Sequence, residues 1–225
     1  MQQCKVLEQI QTRMKGKTMN LKVRRTEKLK TDLFHVGDVI SFRMTTGEKV
    51  EMLAVKSEFD GMIFCFVDCL AAEYSMNKDN TNAGGWEESD LRKKLNGEIL
   101  SCFPVKIGSK LVPFENGDYI RIPTEKEVFG ENKYGEAEPD GVEQWKPMKW
   151  RRNRIAFQGL NGAWEWYWLK NRAANSAADF ANVYGDGYAD CGGASNAGGV
   201  RPVVKIRNPA SAPACRVPVK GERKW

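Results

Sequence analysis

One histidine, His35, is present among 225 residues. Any chemistry that needs an imidazole, from a His-rich zinc site to Ser/His/Asp or Cys/His catalysis, would have to use it. It stands in Asp32-Leu33-Phe34-His35-Val36-Gly37-Asp38, which reads as the approach to a strand and makes His35 a surface or turn residue. The six cysteines are Cys4, Cys65, Cys69, Cys102, Cys191 and Cys215, and none forms a CxxC pair, which argues against a zinc ribbon or a thioredoxin-like motif. Cys65 and Cys69 are four apart. On one strand they would share a face but lie about 13 Å apart, beyond disulfide reach. With no export signal in the sequence, most of the cysteines read as buried, reduced thiols. No catalytic residue, cofactor or metal is expected.

The other groups with chemical potential are cations beside aromatic rings. Residues 13–30 hold eight Lys or Arg against one acid, Glu27, within a net charge of +6. A second cluster, Lys146, Lys149, Arg151, Arg152 and Arg154, is interleaved with Trp145 and Trp150. Such clusters can hold nucleic acid by phosphate pairing and base stacking. No recognised nucleic-acid motif accompanies either one, so nucleic acid is not the expected partner. Mean hydropathy is -0.54, and no apolar run approaches the roughly 18 residues of a membrane helix. The first thirty residues are polar and basic, with no signal-peptide core. No membrane insertion is expected, and the location is unknown, with the cytoplasm or a surface reached by a non-classical route both open.

The elements that must position these groups follow from patterning. Val39-Ile40-Ser41-Phe42-Arg43-Met44, the turn Thr45-Thr46-Gly47-Glu48, the run 50–55, the turn Phe59-Asp60-Gly61-Met62 and the apolar run 62–70 predict an antiparallel meander. Residues 77–86 are loop chemistry. Ser89 predicts a helix cap, with Asp90 suited to the positive N-terminus and Asn96-Gly97 as the stop. Thr124, with Glu127 three residues on, has capping-box spacing for a second short helix that Gly130 ends. Residues 131–154 read as a charged loop, 164–169 as a strand with alternating apolar residues, and 200–206 as the last strand. Few helices, short strands and long loops make an α+β domain. It is bounded by a basic N-terminal arm at 1–30 and a Pro/Ala-rich basic tail at 207–225, which leaves the domain at 31–206.

Residues 171–204 contain no Lys, Glu, Gln, Met or Trp. One explanation is a Gly/Ala-rich loop segment, because small residues fill tight turns. The other lies in the codons. Those five residues cannot be encoded by a codon ending in a pyrimidine, and every residue in the window can. Randomising the adenines of an Asn codon yields Ala, Asp, Gly, Ser, Tyr, Cys and Thr among others, but none of the five.

The order Gly84-Gly85-Trp86-x-x-Ser89-Asp90-Leu91-Arg92-x-x-Leu95-Asn96, Ile122-Pro123-Thr124-Glu125-x-Glu127, Tyr167-Trp168-Leu169, Phe180-x-x-Val183 and Gly199-Val200-Arg201-Pro202 resembles the C-type-lectin-like domains of bacterial and phage proteins. That fold is also used by the variable proteins of diversity-generating retroelements, where adenine-directed mutagenesis diversifies a ligand-binding surface. The likeness spans roughly residues 36–206, with Lys170-Asn171 in place of the usual Arg-Ser. It implies a C-type-lectin-like fold, no enzymatic activity, and a variable ligand-binding region at 171–199. It implies an unknown protein or glycan ligand on a cell surface, in a protein able to form homo-oligomers, and it adds a phage virion to the expected locations. Trp86, Trp168, Leu169, Phe180, Val183 and Val200 would be core. Arg201 would bond loop carbonyls or a carboxylate. Ligand contacts would come from Asn175, Asp179, Asn182, Tyr184, Asp186, Tyr188, Asp190 and Ser195, since Tyr gives rigid amphipathic contact and Ser, Asn, Gly and Asp give adaptable hydrogen bonds. Three alternatives remain open. A formylglycine-generating oxidase of the same fold would need a close, copper-binding cysteine pair, and the only C-terminal cysteines are Cys191 and Cys215. A calcium-dependent lectin would use Glu138-Pro139-Asp140. A nucleic-acid binder would use the basic arm.

Overall fold

Two glycine-containing turns fold the first described strands back on one another. The computed structural model describes residues 34–208; the basic arm, and the tail from 209 onward, lie outside that range. Strand β1 (Val39–Arg43) pairs antiparallel with β2 (Lys49–Ser57), and β2 pairs with β3 (Met62–Phe66), which is the expected meander. Every residue of β3 is buried. The ladder stops at Phe66 rather than running to Leu70, because Cys69 leaves this sheet and bridges to Gln158. His35 sits exposed in the turn before β1, its backbone N–H donating to the Asp38 carboxylate.

The sheet is completed from far along the chain. Strand β4 (Leu111–Val112) and strand β5 (Ile120–Arg121) both pair with β11 (Val203–Ile206), whose other edge pairs with β3, all antiparallel. The order is β1-β2-β3-β11-β4, with β5 also on β11. Helices are short. After α1 (Gly85–Glu88), Ser89 caps α2 (Asp90–Lys94), its Oγ accepting from the Arg92 N–H at 3.1 Å. Asn96-Gly97 does not stop this helix, which continues through a π turn at Leu95–Ile99. The Asn96 side chain is engaged elsewhere. Its Oδ1 accepts from the Tyr119 and Ile120 N–H groups and its Nδ2 donates to the Ile120 carbonyl, so it ties the helix to β5. Helix α3 (Val105–Gly108) follows, then α4 (Glu125–Phe129) with both halves of the capping box formed between Thr124 and Glu127. Glu127 also takes both guanidinium branches of Arg121.

A second sheet, in the order β10-β9-β8, is built from β8 (Tyr167–Arg172), β9 (Asp179–Val183) and β10 (Ala189–Gly193). A two-stranded ribbon joins β6 (Ala156–Phe157) to β7 (Trp164–Glu165). The strand expected over 164–169 therefore divides. Glu165 turns its Oε1 onto the N–H of Trp166, and the Trp168 N–H donates to the Gly199 carbonyl, so β7 and β8 belong to different sheets. Trp168 and Phe180 pack with Trp86, Ile122, Val200 and Phe64 in the main core. Tyr167, Leu169, Ala181 and Val183 pack with Cys69, Val128 and Ala156 in a second cluster. Each fully buried apolar side chain contributes about 1.5–3 kcal/mol. The strand β9 is thus covered by side chains on both faces, whereas the edge strand β10 is partly exposed along its length and the turns reach solvent. The described chain is a mixed α+β fold with mostly antiparallel strands. None of its described helices is long and apolar enough to cross a membrane.

Candidate functional site

The most prominent exposed feature of the second sheet is the β9–β10 hairpin, Tyr184-Gly185-Asp186-Gly187-Tyr188. The Tyr184 N–H donates to the Tyr188 carbonyl and the Gly187 N–H to the Tyr184 carbonyl, both at 2.8 Å, while Asp186 Oδ1 accepts from the Tyr188 N–H. Gly187 takes a positive φ of 83°, which glycine adopts at low cost. At Gly185 any side chain would run into the Trp164 ring. The hairpin is also held from outside. Arg151 lies over the Tyr188 ring at 5.3 Å and donates to the Asp186 carbonyl, and Arg154 Nε donates to the Gly187 carbonyl at 3.0 Å. The Tyr184 ring leans on Trp164 with centroids 5.9 Å apart. Tyr184, Tyr188 and Trp164 nevertheless remain about half exposed. This is a rigid presentation of aromatic surface.

The eight expected contact residues do not form one patch. Tyr184, Asp186 and Tyr188 share the hairpin and are exposed. Asn175 is exposed in the turn after β8, and Asp179 is half-buried at the start of β9. Both lie at the far end of the strands from the hairpin, where Asn82 Nδ2 staples the Ser176 and Asp179 carbonyls. Ser195 is exposed on the turn after β10 and borders a cavity of about 460 Å³ with Tyr74, Lys78, Asp90 and Lys94. Asp190 is half-buried on β10. Asn182 is a correction, being only 4% exposed. It sits mid-strand opposite Trp168 and Asp190, on a face covered by the main core, and its Oδ1 has no hydrogen-bond partner.

The anchors Trp86, Trp168 and Phe180 are buried. Trp86 Nε1 donates to Asp118, which also receives Arg92, and Trp168 Nε1 donates to the Tyr74 carbonyl at 2.8 Å. Arg201 is buried as well, and of the two expected partners it takes carbonyls. Its Nε donates to the Phe66 carbonyl at 2.9 Å, and one Nη donates to the Asn153 carbonyl and the Tyr167 hydroxyl. Burial pushes the Tyr167 phenol up to about 12, opposed by the Arg201 charge. Burial likewise raises the Cys65, Cys69 and Cys191 thiols, which keeps them protonated and poor nucleophiles.

A groove of about 530 Å³ runs between α1 and the loop after α4, beside the end of β8. Its charges are already paired, Lys170 with Glu87 at 3.4 Å and Arg172 with Glu136 at 2.8 Å. Glu138 lines it too, but its Oε1 accepts from the Lys126 N–H and from Asn171 Nδ2, which ties the Glu138-Pro139-Asp140 tripeptide into the loop framework. Among the described residues no group of three or more His, Cys, Asp and Glu side chains gathers as a metal ion would require. The sequence reading missed Trp164 and Phe157 as surface residues. The alternation Trp164-Trp166-Trp168 would set all three on one strand face, and only the break at Trp166 turns Trp164 outward. Compared with protein-family models, with curated proteins and with solved structures, the chain finds no match in any of the three.

Proposed function

We propose that this chain is a non-enzymatic binding protein on a C-type-lectin-like scaffold, and that part of the 171–204 stretch is an exchangeable ligand-binding surface diversified by adenine-directed mutagenesis. One observation carries the reading. Within a single stretch of restricted composition, the bulky residues Phe180, Val183, Val200 and Arg201 are all buried, while Tyr184, Asp186 and Tyr188 stand out on a braced hairpin. A binding surface that must change without unfolding its carrier needs that division. The scaffold assignment is supported by the gathering of the motif segments. Trp86, Leu91, Leu95, Ile122, Trp168, Phe180 and Val200 share one apolar cluster, although they come from five separate stretches of sequence. Tyr supplies large, rigid contact area at the hairpin, as in antibody paratopes.

Packing bears on these positions unequally. Gly185 and Gly198 lie against the Trp164 and Trp166 rings, where no larger residue fits, so packing alone accounts for them. Packing does not account for Ala174, Asn175, Ala177, Tyr184, Asp186, Tyr188, Ser195, Asn196 and Ala197, which are exposed. The test is genetic. The gene's neighbourhood should hold an adenine-rich near-copy of the codons for 171–204 beside a reverse-transcriptase gene, and sibling genes should differ at the exposed codons. Siblings that differ evenly along their length would remove the proposal's main support.

A further inference from the structure

Four exposed rings, Phe157, Trp164, Tyr184 and Tyr188, follow one another as a belt, and a fifth, Trp150, is the sequence neighbour of Arg151, which lies over Tyr188. Phe157 and Trp164 are cross-strand partners in the β6–β7 ribbon, Trp164 touches Tyr184, and Tyr184 and Tyr188 close the hairpin. Trp150 is 67% exposed, Trp164 and Tyr188 54% each. Only the two tyrosines belong to the 171–204 window. Around Trp150 and Arg151 in the chain, Lys146, Lys149 and Arg152 are also exposed, on two 3₁₀ turns in which Met148, and Trp145 at the cap of the first, are buried. Among the described residues, none of these four cations forms an ion pair. The acids at the belt have backbone partners: Asp186 accepts from the Tyr188 N–H, Asp68 from the Phe157 N–H, and Glu165, beside Trp164, from the Trp166 N–H.

We infer that this belt is a protein–protein interface with a fixed half, Trp150, Arg151, Phe157 and Trp164, and an exchangeable half, Tyr184 and Tyr188, and that it takes a partner with an acidic surface. The inference rests on the proposed display function and names the class of partner. Trp, Tyr and Arg are the side chains that concentrate energy at protein interfaces. Unpaired cations at the rim would attract an acidic surface and speed its association. Single-stranded nucleic acid fits less well. Base stacking uses open ring faces; Trp150 and Phe157 could offer them, but at the hairpin Arg151 lies over the Tyr188 ring and Tyr184 rests on Trp164. The fixed half would give every variant the same baseline attraction, and the hairpin would select among acidic partners.

The test pans a phage-displayed random peptide library on the whole protein and on two variants, Arg151→Glu/Trp164→Ala and Tyr184→Ser/Tyr188→Ser, each checked by thermal melting. Peptides selected by the unaltered protein should be rich in Asp and Glu around an aromatic residue. Their affinity should fall as salt rises, and should drop by about tenfold or more with Arg151→Glu/Trp164→Ala. The Tyr184→Ser/Tyr188→Ser variant should select a different set of peptides that is still acidic. Peptides without an acidic excess, equal binding by Arg151→Glu/Trp164→Ala, or tighter binding of oligo-dT or heparin than of any selected peptide would each overturn the inference. If only the tyrosine variant loses binding, the fixed half falls and the display function stands. If the tyrosine variant selects an unchanged set, the interface stands and the hairpin is not its exchangeable part.

Discussion

The hairpin at 184–188 and the segment at 198–201 are drawn from the same restricted set of residues, yet they meet their surroundings in opposite ways. In the hairpin, backbone hydrogen bonds and two arginines from 151–154 hold the loop, and the tyrosine side chains are left about half exposed. In the second segment the residues themselves are the fastening. Gly198 lies under the Trp166 ring, Val200 is in the core, and Arg201 bonds carbonyls of β3 and of the 153 turn. The lesson is that composition does not decide which positions can be exchanged; what decides it is whether a side chain carries the fold or is carried by it.

That contrast can be broken by substitution. Phe180→Ala, on the buried strand leading into the hairpin, should cost about 3–5 kcal/mol in urea denaturation. Arg201→Ala would leave the Phe66 and Asn153 carbonyls and the Tyr167 hydroxyl without their donor, and should cost about 3 kcal/mol by the same measurement. Gly198→Ala must push back the Trp166 ring, and a loss of about 1–3 kcal/mol is expected. Tyr167 adds a pH dependence. Its folded pKa is raised above the ordinary 10.0, to about 12, so its contribution is fully present below pH 10 and is lost as pH rises toward 12. Stability should fall by up to about 1.4 kcal/mol per pH unit in that window. Tyr167→Phe should remove that slope, and tyrosinate absorbance should show one phenol ionising late. The smallest effect belongs to the hairpin. Tyr184→Ser/Tyr188→Ser should change stability by no more than about 0.5 kcal/mol per site. A loss several times larger would place the tyrosines with the fastenings and end the contrast.

Local signals in the sequence were reliable where the structure is local. The meander, the Ser89 cap and the Thr124/Glu127 capping box need only neighbours a few residues away, and all three form. The buried anchors were legible because large apolar residues have few other places to go. The failures have distant causes. Asn96 would end a helix in isolation, but the peptide groups of 119–120 engage its side chain. Trp164 leaves the strand pattern because Phe157 draws it into another sheet. Asn182 reads as a polar surface residue until β8 and β10 flank it and place it opposite Trp168. The contact residues could be named but not grouped, since the turns at 175 and 195 and the hairpin at 184–188 lie at opposite ends of the same strands.

The position of β11 has a consequence for how the chain is made. It lies inside the main sheet, between β3 and the β4–β5 pair, yet it is the last strand among the described residues. Until residues 203–206 leave the ribosome, the meander and the later strands have no shared partner, and β3 presents an open hydrogen-bonding edge. A nascent chain stalled before Val203 should stay protease-sensitive and prone to stick to its neighbours. If the hairpin is exchangeable as proposed, it is translated just before β11, and each new variant would be presented on a scaffold still waiting for its central strand.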